Sequence, residues 1–107
     1  MIRFTWDEIV RVCHGELKPG LTFSAIEGIS TDSRKLKKGE LFIALKGEHF
    51  DGHNFIQEAL KKSAAGLLLA KDSIQGINLQ DIQVPVVIVV DALKALGDLA
   101  GYYRRKF

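Results

Sequence analysis

Gly66-Leu67-Leu68-Leu69-Ala70 offers no polar side chain to either of its two alternating faces, and Val86-Val87-Ile88-Val89-Val90, entered through Pro85, repeats the pattern with β-branched residues throughout. A strand with water on one side alternates apolar and polar residues, whereas one that is apolar at every position is covered on both sides. Residues 41–45, Leu-Phe-Ile-Ala-Leu, form a third such run, ended by Lys46-Gly47. Buried strands alternating with amphipathic helices predict an α/β fold, a three-layer α/β/α sandwich whose mixed sheet has about four to five strands.

The helices are legible on either side of these runs. Thr5 caps the first and Glu8, three residues on, completes a capping box, with Trp6, Ile9, Val10 and Cys13 as one apolar stripe and a stop expected near Gly15. Asn54 followed by Gln57 marks the start of a second helix with Phe55, Ile56, Ala59 and Leu60 on its inner face, while Lys61 and Lys62 suit its negative C-terminal end. Asp91 caps a third, in which Leu93, Leu96, Ala100, Tyr103 and Phe107 recur at three- and four-residue steps and predict the buried face. Pro19-Gly20 marks a turn within residues 17–23, residues 25–31 read as a strand of imperfect alternation, and residues 71–83 form a long polar connection with room for a helical turn. The chain closes in mid-pattern on Arg104-Arg105-Lys106-Phe107 with no Gly or Pro to end the helix, so the sequence is expected to be cut at an artificial boundary.

One core of ordinary size fits 107 residues, and a composition 47% hydrophobic and 26% charged is that of a soluble globular domain. A net charge of +2 with dispersed Lys and Arg argues against a nucleic-acid partner. No stretch approaches the roughly 20 apolar residues of a membrane span, and the N-terminus lacks the apolar run of a signal peptide, so no membrane partner and a cytoplasmic location are expected. Cys13 sits at helical spacing from Ile9 and Val10 and reads as a core side chain, without chemistry of its own. His14, near a helix C-terminus, reads as a surface residue favoured by the helix dipole.

The glycine-rich cradles G-x-x-x-x-G-K-S/T and G-x-G-x-x-G are both absent from the sequence, so no cofactor site for ATP or a dinucleotide is assigned to it. His49 and His53 flank Asp51-Gly52 without a third ligand, so no metal site is expected. What remains is polar residues where strands give way to loops: Thr31, Asp32, Ser33 and Arg34; Lys46 and Gly47; Asp51, Gly52, His53 and Asn54. Open α/β sheets hold ligands at strand carboxyl ends, so these three loops are candidates for one site. A diphosphate suits their chemistry: Arg34 grips two oxygens, Lys46 adds a point charge, Ser33 a hydroxyl, Gly47 and Gly52 close backbone approach, and the helix start near Asn54 its free N–H groups. On spacing alone, Thr-Asp-Ser-Arg and Asp-Gly equally suit plain turns with local side-chain to backbone bonds.

The run STDSRKLKKGELFIALKGEHFDGHNFIQEALKKSAAGLLLA, residues 30–70, resembles the N-terminal domain of the Mur ligases that add the third and later residues of the peptidoglycan stem peptide. TDSR, KGELFIALKG, FDGHNFI and an Ala-Ala-Gly before an apolar strand agree in order and spacing, and VPVVIVVDALKALGDLAGYYRRKF resembles the family's last strand and the helix leading to its ATP-binding domain. The likeness covers nearly the whole chain. Its detail is closest to the branch that adds D-alanyl-D-alanine, the alternative being the branch that adds the third residue.

The resemblance implies that residues 1–107 hold the UDP end of a UDP-N-acetylmuramoyl-peptide through Ser33, Arg34, Lys46, Gly47 and His53, with Thr31, Asp32 and Asp51 as lesser contributors. It also implies that ATP and Mg2+ act in a central domain absent from this chain, which by itself has no catalytic residue and is expected to be inactive. Ser63 stands where the family usually has Gly, a departure that bears on a helix cap. A stand-alone, non-catalytic module on the same fold is the other class of function open at this stage.

Overall fold

The computed structural model describes residues 3–20, 25–45 and 52–106, with residues 52–54 described in their backbone alone. The order of elements is α1 (Trp6–Cys13), β1 (Glu16–Lys18), β2 (Gly28–Ser30), β3 (Glu40–Ile43), α2 (Gly52–Lys61), β4 (Gly66–Ala70), β5 (Val86–Val89) and α3 (Ala92–Lys106), with 3₁₀ turns at Lys71–Ser73 and Leu79–Asp81. The strands lie in the order β1-β5-β4-β3-β2. Strands β2 to β5 are mutually parallel and β1 is antiparallel to β5, so the sheet is mixed and five-stranded, as the sequence predicts.

The unbroken apolar runs are explained by cover on both faces. Leu41, Ile43, Leu68, Val87 and Val89 point to one side, where they pack with Phe4, Trp6, Ile9 and Cys13 of the N-terminal region and Ala92, Ala95 and Leu99 of α3. Phe42, Leu67, Leu69, Val86 and Ile88 alternate to the other side, against Ile56 and Ala59 of α2, Leu36 and Ile82. The β4-to-β5 crossover has no α-helix; its two 3₁₀ turns set Ile74, Ile77 and Leu79 against that second core instead.

Helix α1 has the expected capping box: Thr5 Oγ1 accepts from the Glu8 amide at 3.1 Å and Glu8 Oε1 accepts from the Thr5 amide at 2.9 Å. It stops one residue before the expected glycine, because exposed His14 takes the left-handed position itself at φ 54°. Gly15 is required for a different reason, since a Cβ there would lie 2.6 Å from Val87 Cγ1. Residues 16–18, expected only as the approach to a turn, form β1, and the strand expected over residues 25–31 shortens to β2 plus an isolated bridge between Ile26 and Phe4.

Helix α2 begins at Gly52, so Asn54 lies in its first turn and is not the residue before it. In α3 the buried face is Ala92, Ala95 and Leu99, with Leu96, Tyr102 and Tyr103 half-buried. The expected face is therefore turned by about one position: Ala100 is exposed and Leu93 is 68% exposed, while Phe107 lies outside the described residues. Small side chains at 92 and 95 let the helix approach the sheet closely, and a stripe chosen by side-chain size overlooks them. Among the described residues no helix is long and apolar enough to cross a membrane.

Candidate functional site at the carboxyl edge of the sheet

Strand pairing sets Ser30 beside Phe42, so the chain leaves β2 and β3 at adjacent points on the same edge of the sheet. Residues 31–34 follow β2 there, and the connection from β3 to α2 follows β3. Lys46, Gly47, His49 and Asp51 lie outside the described residues. Gly52, His53 and Asn54 fall in the first turn of α2, of which only the backbone is described.

The residue 30–34 segment is a closed hydrogen-bonded turn. Ser30 Oγ donates to the Asp32 carbonyl at 3.0 Å and accepts from the Asp32 amide at 3.2 Å. Asp32 Oδ1 accepts from the Arg34 amide at 2.9 Å, and the Lys35 amide donates to the Asp32 carbonyl at 3.1 Å. The guanidinium of Arg34 folds back on the same carboxylate, with Nε to Oδ1 at 3.3 Å and Nη2 to Oδ2 at 3.5 Å. The Arg34 amide, and after it the guanidinium, hold the Asp32 carboxyl below the usual carboxylate range. Asp32 is thus the residue that shapes the turn. Thr31 is half-buried where the chain bends away from β2.

Ser33 and Arg34 face opposite ways. Ser33 is 1% exposed, and its hydroxyl has no hydrogen-bond partner among the described residues. The Arg34 side chain is 78% exposed, so its pairing with Asp32 is a solvated contact of little strength. On the inner side of the turn Lys62, from the end of α2, donates to the carbonyl oxygens of Ser33 and Arg34, each at 2.8 Å. The sequence signals for these supports differ. Ser30 stands two residues before Asp32, a local spacing that marks such turns, whereas Lys62 is 28 residues from Arg34 and no spacing rule connects them.

Further along the same edge, Leu45, Ala70, Asp72, Ser73, Val90 and Leu93 are among the residues lining an open cleft of about 460 Å³. Its lining does not include residues 31–34, and Val90, one of the lining residues, is 85% exposed. Cys13 lies far from this edge in sequence and in chemistry: burial first, and Asp98 second, push its thiol up to about 11, which leaves it protonated and inert at neutral pH.

A mixed, five-stranded sheet covered on both faces defines the class: an α/β domain. Residues 25–104 match the family described as Mur ligase family, catalytic domain, and the chain belongs to that family. It is 39% identical over 106 residues to the UDP-N-acetylmuramoyl-tripeptide--D-alanyl-D-alanine ligase of Escherichia coli (strain K12), an alignment covering 99% of this chain and 22% of that protein. A second relative, the UDP-N-acetylmuramoyl-L-alanyl-D-glutamate--2,6-diaminopimelate ligase of Aquifex aeolicus (strain VF5), is 43% identical over 75 residues, 70% of this chain and 14% of its own length. Among solved structures, MurF from Acinetobacter baumannii superposes with a TM-score of 0.78 at 31% identity, over 99% of this chain and 22% of that one. The chain thus spans about a fifth of the length of the ligases it matches over nearly its whole extent.

Proposed function

We propose that this chain is the substrate-anchoring domain of an ATP-dependent ligase that adds D-alanyl-D-alanine to a UDP-N-acetylmuramoyl-tripeptide, and that it holds the UDP end of that substrate. The observation that carries the assignment is the Asp32-to-Arg34 turn, which sets an exposed guanidinium at the carboxyl edge of the sheet next to the strand leading to α2. Arg34 would exchange one carboxylate for the diphosphate, a bidentate partner of higher charge. Lys46, Gly47 and the first turn of α2 with His53 complete the contact, Asp32 and Thr31 shape the turn, and Asp51 is a lesser contributor. Ser33, buried as it is, contributes through its backbone unless the loop opens.

In this reading ATP and magnesium are bound outside this chain. Its sequence has no G-x-x-x-x-G-K-S/T loop, and no three metal-ligating side chains come together among the described residues. Those groups would be held elsewhere in a longer cytoplasmic protein, and no step of acyl transfer is assigned to residues named here. The contribution of this domain is binding energy and placement remote from the reacting carboxylate, which raise the rate by making attack effectively intramolecular. The relative that adds 2,6-diaminopimelate supports a second reading, anchoring for the preceding step of the same pathway, with the same UDP contacts.

Titration of the chain with UDP, followed by amide NMR, tests the site. Shifts are expected in residues 31–35 and in the first turn of α2, and Arg34→Ala is expected to weaken binding about tenfold or more, the scale of a charge-assisted bidentate contact. Shifts confined to other loops, or an unchanged affinity in Arg34→Ala, would show the assignment to be wrong.

A further inference from the structure

Lys62, the residue that follows the last turn of α2, reaches across to the turn that follows β2. Its ammonium has three donor directions: two end on the carbonyl oxygens of Ser33 and Arg34 at 2.8 Å each, and the third faces Glu58 Oε1 at 3.5 Å. In a trans peptide the C=O and the following N–H point in opposite directions. Drawing the Ser33 and Arg34 carbonyls toward α2 therefore aims the Arg34 and Lys35 amides the other way, where Asp32 accepts both. Lys62 and Asp32 thus clamp the same two peptide planes from opposite sides. The clamp has a directional result: Ser33 stays inward at 1% exposure while the Arg34 side chain stands outward at 78%.

We propose that Lys62 is a positioning residue for ligand binding: it fixes the orientation of residues 32–35 and so presents Arg34 to the anion, without touching the ligand itself. The inference rests on the UDP-binding reading above. It also links two parts of the candidate site, because Lys62 directly follows the last residue of the helix that carries Gly52 and His53 in its first turn. Neighbouring Lys61 is fully consistent with a generic helix-end cation, being exposed. Lys62 is half-buried and committed to two specific carbonyls.

The experiment uses the 107-residue chain with Lys62→Met, which keeps the aliphatic stem, Lys62→Arg, which keeps the charge, and Glu58→Gln, which removes the pair within the helix alone. Amide NMR of each free protein, thermal unfolding and titration with UDP are compared. In Lys62→Met the amides of residues 33–36 are expected to move in the free protein and the UDP affinity to fall about tenfold, as for the loss of hydrogen bonds to a charged group. Lys62→Arg is expected to recover most of that affinity, and Glu58→Gln to bind as the unsubstituted chain does. A lower melting temperature in Lys62→Met with UDP affinity unchanged overturns the positioning role and leaves the UDP site standing. Failure of the unsubstituted chain to bind UDP overturns both, and is distinguished by being present before any substitution.

Discussion

Single residues in this domain carry more than their types suggest, and Ser63 is an instance. It ends α2 in the left-handed conformation, φ 62°, while its carbonyl accepts from the Gly39 amide at 3.0 Å, so the strained position also ties the helix to the start of β3. A side chain with a Cβ is disfavoured there, and Ser63→Gly is expected to stabilise the fold by about 0.5–1 kcal/mol in urea unfolding, glycine's greater freedom in the unfolded chain offsetting part of the gain. Glu8 is a second instance. Beyond its place in the capping box it accepts from Lys106 Nζ at 2.6 Å and from the Tyr102 hydroxyl, which joins the first helix to the last. Lys106, then Tyr102, then the Thr5 amide lower its carboxyl from 4.5 to about 2. A group whose folded value is depressed contributes stability that is complete above its unfolded value and disappears as pH falls toward the folded one, here across pH 4.5 to 2. Glu8→Ala is expected to cost about 1–2 kcal/mol at pH 7 and to flatten the loss of stability between pH 5 and 2, read from melts at both ends of that range.

At the scale of elements, α1 and the start of β4 approach closely at Gly66. A Cβ on Gly66 would stand 2.2 Å from Trp6 Cη2 and 2.6 Å from the Pro85 carbonyl oxygen, so the glycine admits the indole and the neighbouring strand together. Gly66→Ala is expected to destabilise by about 1–3 kcal/mol, the usual cost of overpacking, with a changed Trp6 emission as the accompanying sign. Helix α3 shows the complementary device, small residues at 92 and 95 that bring it down on the sheet and turn Leu93 outward. Its final turn is held from the side, since Lys106 lies 5.7 Å from the Tyr102 ring centroid and 5.9 Å from that of Phe4, in addition to its pair with Glu8.

Among the described residues the whole molecule has two cores, one on each face of a single sheet, and neither face is complete without the strands that the other also covers. Phe42 is fully buried in the core beneath α2, whereas Trp6, the one tryptophan, lies in the core beneath α1 and α3. Phe42→Ala is expected to cost about 3–5 kcal/mol. Trp6 fluorescence, across the sheet from the substitution, should report the same shifted midpoint as far-UV circular dichroism, because a shared sheet unfolds as one cooperative unit. Separate midpoints for the two probes would mean that the layers melt independently.

Much of this was legible along the chain because the governing interactions are local. The three apolar runs place β3, β4 and β5 to within a residue or two, the Thr5 to Glu8 spacing places α1, and Asp91 caps α3 through its bond to the Lys94 amide at 3.1 Å. Strand β1 escaped notice because three residues paired to β5 carry too little pattern to be seen, and its existence depends on a partner some 70 residues away. The rotation of α3 likewise follows from what it packs against. Of the candidate site, the residues near Arg34 were nameable from type and order, and family likeness supplied their ligand. Their orientation was not: Asp32 closing the turn is a two-residue interaction, but Ser33 inward, Arg34 outward and Lys62 clamping both are fixed only when α2 folds back against the loop after β2. Sequence alone determined which segments are buried and where the polar loops begin; tertiary contact decided which way each side chain in those loops faces, because that choice depends on groups distant along the chain and adjacent only in the fold.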